Sequence, residues 1–334
     1  MREQKNSHLG MIGWAMFLTG ALSLGSCSSD DTIDAIQGEA ITFGNVFVEK
    51  STRATDPSYG ERKAIDKFQV WGKVTGNTEN TGNTVNLYGG DGATVTKGTA
   101  AYGAAWACNE TEYWIPIATY QFMAIANATS TSPEKGMPTT ISYTADGETD
   151  LLLGELTSNG VKEVKTDVTA SPTTGVNAEK VVDFTMSHLL SKVVFTFKNT
   201  DLETPLKVKE IKLTGTSTSG TYTIATGVWS ETNDDYELGF GNEVTIPAGK
   251  EGTSELERLV IPGTYTIGVA FKVNDEEGIG DEQVINTTLT DLQTFAPGHS
   301  YNITASIKSG MKEIIFNVTS AAWGGTNDEG VTVN

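Results

Sequence analysis

From Ile41 onward the chain is divided into short apolar runs, alternating with polar side chains and separated by Gly, Pro, Asn and Asp. No stretch there holds a helical apolar period beyond about two turns, short of the three to four usual for a packed helix. Ile41, Phe43 and Phe47 share one face of a first run, Glu39 to Lys50, with Val46 and Val48 on the other. Phe68, Val70 and Val74 share a face opposed to Trp71. Glu112 to Ala126 is the densest apolar stretch of the first half; Pro116 splits it into two strands. A weak strand at Val85 to Tyr88, then Ile141 to Tyr143 and Leu151 to Leu156, complete the first set, and Thr157 to Asn177 is polar.

The second half opens at Val181-Val182-Asp183-Phe184 and runs through Val193 to Phe197. Further strand-like runs lie at 206–214, 220–226, 236–246, 256–261, 265–273, 283–289, 301–307 and 313–318, with Pro262-Gly263 and Pro297-Gly298 as turns. A spacing of about 8–12 residues with turns between is the pattern of β-sandwiches. With 334 residues there is room for two cores. The expectation is therefore all-β, with tandem sandwich domains at 39–180 and 181–334.

The N-terminus has a different character. Arg2 and Lys5 precede an apolar run from Met11 to Leu24, too short for a typical membrane span and built like a signal peptide. It ends in Leu24-Gly25-Ser26-Cys27, the pattern a lipoprotein signal peptidase reads. Residues 1–26 are thus expected to be a lipoprotein signal peptide, Cys27 the lipidated (palmitate-bearing) residue, and 27–38 an acidic tether. No later run approaches the ~18–20 apolar residues of a spanning helix, so the lipid on Cys27 is the expected anchor.

Net charge is −19 over the full chain, which repels nucleic acid and anionic membrane surfaces and excludes a nucleic-acid partner. The second cysteine, Cys108, reads as a small buried hydrophobe. His188 and His299 lie far apart beside turns and read as structural; no serine stands in a Gly-x-Ser-x-Gly setting. Asn233-Asp234-Asp235 and Asn274-Asp275-Glu276-Glu277-Gly278 miss the spacing of a calcium loop and read as solvated hairpin tips. Tyr113, Trp114, Tyr120 and Phe122 read as core rather than as a sugar platform, since they alternate with Ile115, Met123 and Ile125. No enzyme, no catalytic residue, no metal and no cofactor is expected.

Several stretches together resemble the fimbrillin family, the type V pilins of Bacteroidetes-type bacteria. Lys50-Ser51-Thr52-Arg53-Ala54-Thr55 is similar to the family's Thr-Arg-Ala segment, and Phe68 to Gly72 to its next strand. Tyr113 to Ala126 resembles its Tyr-x-Phe-x-Ala region, Phe184 to Val193 the start of its second domain, and Phe295 to Tyr301 with Trp323 its closing strands. Cys27-Ser28-Ser29-Asp30-Asp31 is also similar to the acidic surface-export signal of such bacteria, and Asp31-Thr32-Ile33 to their O-glycosylation motif.

The resemblance implies two transthyretin-like sandwiches carried as a lipoprotein to the outer membrane surface. It implies cleavage between Arg53 and Ala54 by an Arg-specific protease, loss of the first strand, 39–50, and polymerisation with other pilin subunits into an adhesive fimbrium by donor-strand exchange. Emptying pockets for about five apolar side chains would cost about 7–15 kcal/mol as an upper bound, which a neighbour's strand recovers. Val331 and Val333 are one possible donor, beside Ile314, Phe316 and Val318. The alternative is a surface lipoprotein that does not polymerise and binds glycan or host protein through its loops.

Overall fold

The computed structural model describes residues 40–48, 65–75, 84–98, 106–114, 119–132, 135–154, 162–165, 181–232, 235–275, 283–289, 294–307 and 314–323. Within them the chain is built from strands, with one short 3-10 turn at Tyr88–Gly90. In the first half these are β1 Thr42–Val48, β2 Lys67–Thr75, β3 Thr84–Asn86, β4 Ala93–Lys97, β5 Trp106–Cys108 and β6 Thr119–Ala126. β7 Ser130–Thr131, β8 Thr140–Thr144, β9 Leu152–Gly154, β10 Lys162–Lys165 and β11 Val181–His188 follow. Next come β12 Ser191–Asn199, β13 Leu206–Thr216, β14 Ser219–Thr223, β15 Val228–Glu231, β16 Tyr236–Gly239, β17 Glu243–Ile246 and β18 Glu251–Thr253. The last are β19 Arg258–Val260, β20 Gly263–Thr264, β21 Gly268–Asp275, β22 Gln283–Thr288, β23 Thr294–Phe295, β24 His299–Ile307 and β25 Ile315–Ala322. The all-β expectation holds.

A large sheet runs in the order β1-β11-β9-β6-β2-β4-β5, with β10 beside β6 and β3 beside β2. At its centre both faces are buried, which explains why β6 is apolar at consecutive positions rather than alternating. Tyr120, Phe122, Ala124 and Ala126 pack on one side with Phe68, Val70 and Val74 of β2. Met123 and Ile125 pack on the other side with Trp71. Gly92, at φ +79, leads into β4 where the Trp71 indole lies against the backbone; a Cβ there would stand 2.6 Å from the ring.

Two five-stranded sheets, β18-β12-β24-β25 with β19 and β16-β13-β21-β22 with β17, face each other in the second half. Val193, Phe195 and Phe197 of β12 and Ile303 of β24 meet Val208, Leu213, Val269 and Phe271 in a core that excludes water. Inward and outward positions alternate along β24, the period expected of a sandwich strand.

Two features link the halves across residue 180. β11 begins at Val181 but pairs with β1 and β9, and its Val182, Phe184 and Met186 fill the first core. A four-stranded sheet, β15-β14-β8-β7, takes two strands from each half. It covers a third core in which Ile141, Tyr143, Leu151 and Leu153 meet Leu190, Tyr222, Trp229 and Ile261.

Candidate functional site

The first strand and the channel that holds it form the site. β1 runs parallel to β11, with Thr42 opposite Val181, Phe43 opposite Val182, Val46 opposite Phe184 and Val48 opposite Met186. The ladder is irregular between Phe43 and Val46, where β1 has two intervening residues against one in β11. The unbroken alternation read from the sequence therefore gives way to a bulge containing Gly44-Asn45.

The other edge of β1 is held only at its start. The Ile41 N–H donates to the Glu112 carbonyl at 2.8 Å, and Ala40 bridges antiparallel to Tyr113. The strand thus closes the gap between β11 and the segment after β5. Beyond that bridge, no ladder on the outer edge of β1 is seen among the described residues.

Ile41 and Phe43 are each only 5% exposed. The Phe43 ring stands edge-on to Phe68 at 6.1 Å and Phe122 at 6.2 Å, and stacks on Phe184 at 6.1 Å. Aromatic contacts continue outward through Trp106, Trp114 and Tyr120. Removing β1 therefore uncovers an aromatic wall together with the backbone edge of β11. Both favour the arrival of another strand.

Of the aromatics read as core, Trp114, Tyr120 and Phe122 are buried, while Tyr113 is 50% exposed at the bridge to Ala40. Tyr113 departs from the expectation because the chain turns there to meet β1, which leaves its ring on the outer side. Cys108 is a half-buried free thiol packed on the first core, and burial pushes its pKa up. Cys27, Arg53, Ala54 and Thr32 lie outside the described residues, as do Asn233-Asp234, Glu276 to Gly278, Val331 and Val333.

His188 and His299 have structural partners. His188 ends β11 rather than sitting in a turn, and its Nδ1–H donates to Asp150 Oδ2 at 2.5 Å. His299 opens β24, with Nδ1 donating to the Pro297 carbonyl at 2.9 Å. Among the described residues no group of three or more His, Cys, Asp or Glu stands together as a metal cluster requires. No helix among them is long and apolar enough to cross a membrane.

This architecture is that of an all-β protein built from several packed sheets. The fimbrillin-like family model matches residues 52–323, and the chain belongs to that family, a fimbrial structural family rather than an enzyme family. A fimbrial protein from Bacteroides vulgatus is similar in fold, with a TM-score of 0.53 at 14% identity over 85% of this chain and 99% of that one. A protein assigned to cell adhesion from Bacteroides uniformis has a TM-score of 0.50 at 16% identity over 85% of this chain and 98% of that one. At these identities the likeness speaks to fold alone. No curated protein matches the chain.

Proposed function

We propose that this protein is a subunit of a cell-surface fimbrium serving adhesion, exported as a lipoprotein anchored through Cys27. A protease specific for arginine cuts between Arg53 and Ala54. β1 then leaves, and a strand from another subunit takes its place. The working division of the chain is an N-terminal part, 39–180, and a C-terminal part, 181–334, joined by β11 and the four-stranded sheet.

The observation that carries this reading is the way β1 is held. Its partner strand β11 begins at Val181, far along the chain, so the ladder survives only while both are present. Val48 ends the strand five residues before Arg53. A single cut after Arg53 turns a covalent part of the sheet into a bound peptide, and the polar run Ser51-Thr52-Arg53-Ala54-Thr55 supports cleavage there. Family membership supports the fimbrial role, and the lipoprotein pattern at Cys27 supports a surface location.

The test uses the purified chain lacking its signal peptide. Treatment with an arginine-specific protease is expected to leave Ala54 as the new N-terminus and to yield oligomers that resist detergent but separate on heating. Because Arg62 also lies before β2, the control is the double variant Arg53→Ala/Arg62→Ala, which should keep β1 attached and remain monomeric. Verified cleavage followed by permanent monomers overturns the polymer reading and favours an adhesin that acts without polymerising.

A further inference from the structure

Two buried hydrogen-bond donors in the core cluster that includes Ile41 and Phe43 have no acceptor. Tyr88 and Trp114 are each 2% exposed, and neither Tyr88 Oη nor Trp114 Nε1 has a hydrogen-bond partner. Both belong to the packed cluster that Ile41 and Phe43 complete. Glu112 ties them to β1: its carboxylate accepts the Tyr88 N–H at 2.8 Å while its carbonyl accepts the Ile41 N–H at 2.8 Å. Trp114 follows two residues later and packs on Tyr120 and Phe122, the latter touching Phe43.

Such donors are costly, because a buried N–H or O–H gives up its bonds to water for nothing. The backbone at Tyr88 is also held at φ +54, a left-handed conformation that an aromatic residue seldom adopts. The surrounding turn thus imposes the position of this side chain despite its unmet hydroxyl. Resident β1 leaves both donors unmet.

We propose that Tyr88 and Trp114 select the strand that replaces β1, by donating hydrogen bonds to an uncharged oxygen acceptor on that strand, the side chain of Asn, Gln, Ser or Thr. This rests on the reading that β1 is replaceable. An uncharged acceptor is required because the Glu110 and Glu112 carboxylates stand near Tyr88. Burial first, and then the negative charge of Cys108 and of these glutamates in their ionised forms, raise the phenol pKa. The hydroxyl remains a donor, and an incoming carboxylate would meet repulsion. The exchange then gains hydrogen bonds that the closed precursor lacks, so the correct donor outcompetes a copy of β1.

The experiment uses protein cut at Arg53–Ala54 and stripped of β1, with fluorescent peptides copying residues 39–50. In one series each apolar position in turn carries Asn or Thr. At least one polar peptide is expected to bind ten times more tightly than the parent, with the gain abolished in Tyr88→Phe or Trp114→Phe protein. A parent peptide that binds as well as every polar variant overturns the proposal while leaving strand replacement intact. Failure of all peptides to bind verified cut protein overturns strand replacement itself, and this inference with it. In the uncut chain Tyr88→Phe should raise the melting temperature; a fall shows that the hydroxyl is already satisfied and also overturns the proposal.

Discussion

The imidazole of His188 lies flat on the indole of Trp323, ring centroids 3.8 Å apart and planes 11° from parallel. The contact joins the end of β11, the strand that carries β1, to the residue following β25. Lys192 Nζ stands 5.5 Å from the same indole and 3.6 Å from Glu257 Oε2, and the Trp323 N–H donates to the Gly298 carbonyl at 2.7 Å. The last described strand is thereby fastened to the sheet that holds the first. Trp323→Ala should cost about 3–5 kcal/mol, as for other buried large aromatics. A double-mutant cycle with His188→Ala should show a coupling of about 0.5–1.5 kcal/mol in urea denaturation. Strict additivity would mean that the stack contributes nothing beyond burial.

Phe43 is the side chain by which β1 is keyed into its channel. Phe43→Ala should destabilise the uncut protein by about 3–5 kcal/mol. Carried in a peptide copying residues 39–50, the same substitution should weaken binding to protein cut and freed of β1. A peptide that binds unchanged would show that Phe43 does not act through the channel.

Asp146 gives the acid side of the stability curve a definite shape. Burial would raise its carboxyl pKa. Hydrogen bonds from the Thr149 hydroxyl at 2.5 Å and from the Thr149 and Glu148 N–H groups at 2.7 and 2.8 Å outweigh burial and hold it below the usual carboxylate range. A folded value below the unfolded one means that stability is fully present above the unfolded pKa, about 3.9. It is lost as pH falls through the folded value. The advantage of wild type over Asp146→Asn in denaturation midpoint should be largest near neutrality and vanish in strong acid. A gap that stays constant with pH is the contrary result.

On the proposed reading, Cys27 serves anchoring and not folding. In cells given labelled palmitate, Cys27→Ala should lose the label and leave the membrane fraction, while the purified mature domain keeps its melting temperature. Retained label would place the lipid elsewhere.

Much of the architecture was legible in side-chain order. Phe68, Val70 and Val74 fall opposite Trp71 because period two needs no knowledge of partners. β4, β5 and β10 escaped notice: Ala93–Lys97, Trp106–Cys108 and Lys162–Lys165 are short or polar and become strands through pairing. β11 was recognisable as a strand, yet nothing in Val181–His188 shows that it serves the first sheet. Backbone hydrogen bonds are the same whichever strand supplies them, so partner choice follows from packing across the whole fold. The pairing of His188 with Asp150 and Trp323 is of the same kind, each member coming from a different part of the chain.

The first stretch of the chain shows the division most clearly. Sequence by itself determined that Phe43 belongs to a strand, that the chain is all-β, and that this strand lies between a lipoprotein-like pattern ending at Cys27 and the arginine at Arg53. Local periodicity and short motifs are properties of neighbouring residues, and they are readable without coordinates. Tertiary structure alone decided that β1 runs parallel to β11, that Ile41 and Ala40 just before it meet Glu112 and Tyr113, and that its core cluster holds two unmet donors at Tyr88 and Trp114. Those relationships join residues distant along the chain, and only the packed core selects them from the many pairings that the same alternation permits.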